Sequence, residues 1–344
     1  MTSEVRVIRI ALSVLLFCAT VMFDLSSCQA DEQQQVIVVV GAQGTDEYGA
    51  MFSEWADRWQ TAAGLGNAGV VVVGRSANVG DDADDLQTLE TQLSESINVK
   101  TLEPLWIVLI GHGTFDGRIA RFNLRGPDLS ADHLAKLLAT SQRPVAIINC
   151  SSCSSPFINA LSGPDRIVIT GTKDGGEIQF ARFGNYISDA IGKLDADLDR
   201  DGQTSLLEAW VHASGKTDEY YKSDGRLATE HSLLDDSGDG KGTRAEVYEG
   251  VRIRDNVKNK DQLDGKLARR WHLVRSEAER SLTPQQREMR NKLEEQLEQL
   301  RKTKSDFPEP EYLRQLEKIL LPLARLYNDA ESASNPDTTE KADP

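Results

Sequence analysis

The chain has 344 residues, a formal net charge of −15 and only four cysteines. This length is enough for one large domain or two modest ones. The strong negative charge argues against nucleic acid as a partner, and the small number of cysteines excludes a disulfide-stapled scaffold.

The first 30 residues are typical of an export signal, because two arginines precede an apolar stretch at residues 10–23. That stretch is too short and wrongly flanked for a stable membrane span. LSSC, which ends at Cys28, resembles a bacterial lipobox and predicts a lipid anchor on that cysteine. CQA, at residues 28–30, fits an ordinary cleavage site instead. Both patterns predict an exported protein, either a membrane-anchored periplasmic lipoprotein or a secreted one.

From residue 36 to residue 194, apolar runs alternate with amphipathic stretches. The predicted strands are VIVVV (36–40), GVVVVGR (69–75), LWIVLIGHG (105–113), PVAIINC (144–150) and DRIVITGT (165–172), and the predicted helices cover 51–63, 84–97, 130–140 and 183–194. Because these strands are apolar along their whole length, they predict a mostly parallel sheet with helices on both faces. Functional residues of such sheets lie beyond the carboxyl ends of the strands.

Two of these strand ends carry groups suited to nucleophilic chemistry. His112 stands between two glycines after the third predicted strand, and Cys150 ends the next one. If the strands are neighbours, an imidazole and a thiol share one sheet edge, where the base would lower the thiol pKa and protonate a leaving amine. The amide of Gly113 is a candidate for an oxyanion hole. Cys153 is an alternative nucleophile, and a strand end shifted by one or two residues would favour a serine.

A strand ending in His-Gly, followed by a strand ending in Cys, resembles the caspase/legumain superfamily of clan CD cysteine peptidases. The resemblance covers residues 36–194, and its motifs are GHG and NC. It implies a three-layer α/β sandwich and an endopeptidase acting on peptides or proteins, with His112 as general base and Cys150 as nucleophile. Ile-Asn precedes Cys150, where caspases have Gln-Ala and legumain-like members an acidic and a small residue. An inactive member of the fold is therefore the alternative.

The resemblance also bears on substrate preference, because it implies that Arg75 reaches the pocket for the substrate side chain. Asp174 and Glu177 follow the fifth strand and are candidates for the lining of the same pocket. A third function follows from the spacing of Cys150 and Cys153, since CxxC is a motif of thiol–disulfide exchange.

Residues 197–208, DLDRDGQTSLLE, fit a twelve-residue calcium-binding loop of the EF-hand type, and helical stretches flank them. Hard oxygen ligands at alternating positions suit Ca²⁺, which takes six to eight oxygens. The predicted ligands are Asp197, Asp199, Asp201, the Gln203 carbonyl, Ser205 and a bidentate Glu208. A second, weaker site is predicted at residues 235–246, with the ligands Asp235, Ser237, Asp239, the Lys241 carbonyl, Thr243 and Glu246.

The sequence thus divides into a caspase/legumain-like domain (36–194), a calcium-binding region (195–250), a charged helical hairpin (256–328) and a disordered tail (329–344). In the hairpin, three leucines at 293–300 are expected to pack on four leucines at 313–323. The leading prediction is an exported cysteine endopeptidase stabilised by calcium. A catalytically inactive, calcium-binding interaction module is the alternative, followed by a thiol oxidoreductase.

Overall fold

The computed structural model describes residues 33–75 and 84–334. The predicted export signal with Cys28 lies outside these residues, as do positions 335–344 of the predicted tail. In the described part of the chain, no helix is both long enough and apolar enough to cross a membrane.

The described residues form short strands and helices that alternate through the first two thirds of the chain. The strands are β1 (Gln35–Val40), β2 (Gly69–Val73), β3 (Leu105–Ile110), β4 (Gly113–Phe115), β5 (Ala120–Phe122), β6 (Leu129–Ser130), β7 (Val145–Asn149), β8 (Arg166–Thr170), β9 (Leu233–Asp235), β10 (Thr243–Arg244), β11 (Tyr248–Glu249) and β12 (Arg252–Ile253). The helices are α1 (Asp46–Leu65), α2 (Asp85–Ile97), α3 (Ala131–Leu137), α4 (Pro156–Leu161), α5 (Phe183–Ala190), α6 (Leu206–Ser223), α7 (Glu277–Ser281), α8 (Pro284–Lys302) and α9 (Glu309–Ser334).

Seven strands form the central sheet in the order β10-β9-β8-β7-β3-β1-β2. Five of these strands pair in parallel, namely β2, β1, β3, β7 and β8. The strands β9 and β10 add an antiparallel edge beside β8. β1 lies between β2 and β3, and β3 lies between β1 and β7. The parallel strands are joined by crossover connections that contain helices. A separate three-stranded sheet, β4-β5-β6, follows β3 directly.

Both faces of the large sheet are covered by helices, because successive side chains of a strand point to opposite faces. Along β1, Val36 and Val38 pack with Trp59 of α1, Phe183 of α5 and Trp210 of α6. The alternate residues of β1 face a second core, formed with leucines of α2 and α3 and with Phe157 of α4. The prediction of a three-layer α/β sandwich with a mostly parallel sheet is confirmed.

The sheet continues beyond residue 194, since β9 and β10 come from the region predicted to hold calcium. Helix α6, also in that region, packs along α5 and buries Trp210 in the first core. The calcium-type loops are therefore attached directly to the sandwich.

The C-terminal segment returns to the start of the sheet before it forms the helical hairpin. The side-chain amide of Gln34 donates to the carbonyls of His272 and Leu273, at 3.2 Å each, and its oxygen accepts from the indole of Trp106 at 2.9 Å. Helices α8 and α9 then pack together through leucines, Tyr312 and Ile319. Of the leucines expected on α9, 316 and 323 join this contact, whereas 313 and 320 are exposed. Residues 329–334 of the predicted tail belong to α9.

Gly184, in the first turn of α5, allows that helix to approach the strand ends closely. A Cβ atom there would lie 2.7 Å from the Trp55 ring and 2.9 Å from the Cβ of Cys150. We expect Gly184→Ala to lower the free energy of unfolding by about 1–3 kcal/mol through overpacking. Gly215→Ala in α6 is the matched control, because its Cβ meets nothing within 4 Å. That control should stabilise the protein by about 0.4–1 kcal/mol in urea unfolding, and equal effects of the two variants would contradict the close approach.

Candidate functional site

The ends of β3 and β7 lie side by side, as the sequence predicted for the His-Cys pair. Leu109 of β3 pairs with Asn149 of β7, and the Cys150 amide donates to the Leu109 carbonyl at 2.9 Å. His112 follows β3 after one glycine, so both predicted catalytic residues stand at the carboxyl edge of the sheet. This is where parallel sheets place ligand-binding groups.

The His112 ring sits among aromatic rings on the α1 side of that edge. Its centroid is 4.8 Å from the ring of Tyr48, 5.2 Å from Phe52 and 6.0 Å from Phe180. Its one hydrogen bond among the described residues joins Nε2 to the Gln43 carbonyl at 3.4 Å. Burial lowers the pKa of His112 below its usual value, which favours the neutral imidazole at neutral pH.

The Cys150 side chain is buried in the first hydrophobic core. Cys150 is a member of the cluster that contains Ile148, Trp55 and Phe183, and it is 1% exposed. Its sulfur makes no hydrogen bond within the described residues, to His112 or to any other group. Burial, with a smaller contribution from Glu230, raises the pKa of Cys150 far above its ordinary value. Burial of this kind disfavours the thiolate, the form in which cysteine reacts.

The turn that follows is closed by its own polar groups. The Asn149 side-chain oxygen accepts from the amide of Ser151 at 3.0 Å and from its hydroxyl at 2.7 Å. The hydroxyl of Ser152 donates to the Gly113 carbonyl at 3.1 Å, and the Gly113 amide donates to the Ser152 hydroxyl oxygen at 3.3 Å. The amide predicted for an oxyanion hole is therefore directed at this serine. Residues 150–154 are each at most 4% exposed.

Cys153 is also a free, buried thiol, and no disulfide joins it to Cys150. It has a left-handed backbone conformation, with φ of 53°, and its amide donates to the Glu177 carbonyl at 3.0 Å. Its sulfur lies 3.8 Å from that carbonyl oxygen. Burial, followed by the charge of Asp174, raises the pKa of Cys153.

The predicted substrate-binding residues have partners within the protein. Arg75 pairs with Asp57 of α1 at 2.5 Å. The Asp174 carboxylate accepts from the Gly176 amide at 2.7 Å. The Glu177 carboxylate accepts the amides of His231 at 3.0 Å and of Lys173 at 2.9 Å, so it joins the loop after β8 to the segment before β9.

The first calcium-type loop brings three carboxylates together. Ligand oxygens of Asp197, Asp199 and Glu208 all lie within 4.8 Å of one another. Both oxygens of Asp197 accept backbone amides, from Asp201 at 3.1 Å and from Gly202 at 3.0 Å. Gly202 has φ of 88°, which is the left-handed turn that a glycine at the sixth position permits.

Glu208 is held at the loop by its place in the first turn of α6. One carboxylate oxygen accepts the amides of Leu198 at 2.9 Å and Asp199 at 3.1 Å, and the other accepts from Ser205, the N-cap residue. Asp201 lies outside the group of three and accepts from Gln203 at 3.1 Å. Burial raises the pKa of Glu208. A cation at this point would offset the repulsion of the three carboxylates, and an all-oxygen set suits Ca²⁺.

The second loop has a similar pattern of backbone hydrogen bonds but a different setting, because it begins at the end of β9 rather than after a helix. Asp235 accepts the amides of Gly238 and Gly240, both at 3.1 Å, and Asp239 accepts the amide of Lys241 at 2.8 Å. Ser237 contributes its amide to a carboxylate outside the loop.

That carboxylate belongs to Asp264. It accepts the amides of Asp236 and Ser237 at 3.0 Å each, and the Thr243 hydroxyl at 2.7 Å. Glu208 receives the corresponding three donors in the first loop, so Asp264 occupies the place predicted for Glu246. Glu246 is instead exposed and paired with Arg244. Asp264 lies 21 positions after Thr243 in the chain. It is therefore outside the twelve-residue spacing from which the ligands of this loop were predicted.

Comparisons with known proteins show a distant similarity to solved structures. No protein-family model matches the chain, and no curated protein matches it at a significant level. The chain is similar to the crystal structure of the Drosophila initiator caspase Dronc, with a TM-score of 0.38 and 13% sequence identity. The matched part covers 62% of this chain and 82% of the caspase. At that TM-score and identity, no property of the caspase transfers to this chain.

Proposed function

We propose that this protein is a catalytically silent, calcium-binding interaction module built on a caspase-like α/β sandwich. The observation that carries the proposal is the burial of the turn at residues 150–154, each at most 4% exposed. A nucleophile must reach a substrate carbonyl, and every cysteine and serine of this turn is enclosed.

The charge state of the thiols supports the same conclusion. Cysteine reacts as the thiolate, and burial raises the pKa of both Cys150 and Cys153. His112 lacks a hydrogen bond to either sulfur among the described residues, although general-base catalysis needs that reach. Calcium would bind at Asp197, Asp199 and Glu208, where three carboxylate groups converge. Its role would be structural, since the loop joins α6 to the sandwich.

A cysteine endopeptidase is the second candidate. The neighbouring ends of β3 and β7 favour it, because the Cys150 amide donates to the Leu109 carbonyl and His112 stands at the same edge. For that activity the turn would have to open and expose the Cys150 thiol, which is 1% exposed.

Hydrolysis and thiol reactivity separate the two functions. We expect no cleavage of a peptide library by the wild type, with calcium present, above the level of the His112→Ala variant. In a Cys18→Ser, Cys28→Ser background, we expect Cys150 and Cys153 to react with an aromatic disulfide reagent only after denaturation, because both thiols are buried. Cleavage that is lost in both His112→Ala and Cys150→Ala would establish the peptidase instead. A rapidly reacting native thiol that disappears in Cys153→Ala would favour the oxidoreductase.

A further inference from the structure

A cavity of about 880 Å³ opens at the amino-terminal edge of the sheet, opposite the edge that carries His112. One wall is formed by the residues that precede β3, β7 and β8. The other wall comes from the C-terminal segment at 267–295. The cavity is therefore separate from the turn at Cys150 and has a size typical of small-molecule sites, roughly 300–1,000 Å³.

The cavity wall is basic, although the whole chain has a net charge of −15. Seven basic side chains line it: Arg143, Arg166, Arg270, Arg275, Arg287, Arg290 and Lys292. Five acidic side chains accompany them: Glu103, Asp165, Glu279, Glu288 and Glu295. Positive charge thus collects in a recess of an acidic protein.

Two of the arginines share one buried carboxylate. Glu103, which is 1% exposed, pairs with Arg275, whose Nη1 lies 3.1 Å from Oε1, and also with Arg287. Arg290 pairs with Glu279 and lies 3.7 Å from a second carboxylate, Glu294. Three carboxylates therefore face the three arginines of this cluster, and the unpaired positive charges of the cavity lie elsewhere in its wall.

Arg143 and Arg166 have no carboxylate within ion-pair distance among the described residues. Arg143 donates to the backbone carbonyls of Glu103, Gln33 and Pro104 at 2.9–3.1 Å, and it is 6% exposed. Arg166 donates to the carbonyls of Leu161 and Leu138 at 3.2 and 2.7 Å. Carbonyl oxygens fix the orientation of a guanidinium group but do not neutralise its charge. Recessed charges of this kind are costly without a counter-ion.

We propose that this cavity binds a phosphate-bearing ligand through Arg143, Arg166 and Arg270. Planar guanidinium groups match the oxygens of a phosphate in pairs. A dianion would offset the charges of both Arg143 and Arg166, whereas a single carboxylate would offset only one of them. Arg270 is available for this contact, since its nearest carboxylate is Glu295 at 4.0 Å.

The test uses the full-length protein in calcium-free, low-salt buffer, with inorganic phosphate and glycerol 3-phosphate as calorimetric probes. We expect saturable binding that weakens as sodium chloride is added. Arg166→Gln and Arg270→Gln should each weaken binding by about tenfold, whereas Glu295→Gln should strengthen it. Arg226→Gln is the matched control, because Arg226 is exposed and 3.8 Å from its partner Asp224.

Vesicles of phosphatidylglycerol in phosphatidylcholine distinguish the source of the phosphate. Sedimentation with these vesicles that is lost in Arg166→Gln would identify a lipid headgroup, and binding of the soluble probes alone would identify a soluble phosphate compound. The proposal fails if neither the probes nor the vesicles bind. It also fails if Arg166→Gln and Arg270→Gln bind as the wild type does, or if Arg226→Gln weakens binding equally.

Discussion

Glu103→Gln is expected to lower the free energy of unfolding by about 3–5 kcal/mol. The Glu103 carboxylate is almost fully enclosed and accepts from both Arg275 and Arg287. A neutral amide would leave two largely buried guanidinium groups without a negative partner, while the volume of the side chain stays nearly constant. Because these arginines belong to the segment before α7 and to α8, the variant should loosen the C-terminal segment from the sheet.

Urea unfolding measures this effect as a lower midpoint with an unchanged slope. Asp57→Asn is the matched control, since Asp57 is exposed and pairs with Arg75 on the surface. That variant should cost less than about 1 kcal/mol. If Glu103→Gln were as mild as this control, the Glu103 group would contribute little to the attachment of the C-terminal segment.

Calcium is expected to raise the free energy of unfolding by about 2.7 kcal/mol when its concentration is roughly 100 times the Kd. A ligand that binds only the folded state stabilises that state by this amount. Calcium should bind only the folded state, because Glu208 meets Asp197 and Asp199 only when α6 begins beside the loop. Asp197→Asn should abolish most of the effect, because Asp197 belongs to the group of three and also orders the loop through two amides. Thermal unfolding with calcium and with a chelator measures the difference.

The two loops can be separated in the same experiment. Asp264→Asn should reduce the calcium response of the second loop, whereas Glu246→Gln should leave it unchanged, because Glu246 pairs with Arg244 at the surface. Asp218→Asn, at an exposed pair with Lys222, controls for a general loss of negative charge. A calcium response of wild-type size in Asp197→Asn, or equal responses to calcium and magnesium, would contradict a calcium site at the first loop.

Much of the fold follows from local sequence pattern. The apolar runs at β1, β3 and β7 are buried on both faces, so their composition alone predicts central parallel strands. The first calcium-type loop is equally local, since its acidic residues, Gly202 and the cap of α6 occupy one short segment. The antiparallel edge formed by β9 and β10 was not predicted, because these strands are two or three residues long and carry little periodic signal.

The accessibility of Cys150 as a nucleophile could not be predicted, because it depends on the direction of its side chain. The sequence placed His112 and Cys150 at neighbouring strand ends, and the register of β3 with β7 agrees with that placement. Whether Cys150 faces the substrate side or the core depends on where the alternation of β7 stops. The structure continues that alternation by one residue, so Cys150 follows Ala146 and Ile148 into the first core.

The sequence by itself determined the α/β class, the positions of the central strands and the first acidic loop, because each of these rests on residues close together in the chain. Only the tertiary structure decided the enclosure of the turn at Cys150, the place of Asp264 beside the second loop, and the arginines around Glu103. These features join residues that are far apart in sequence, and their energies depend on burial and on which charges meet. No local sequence pattern indicates how deeply such a group is buried or which distant charge it meets.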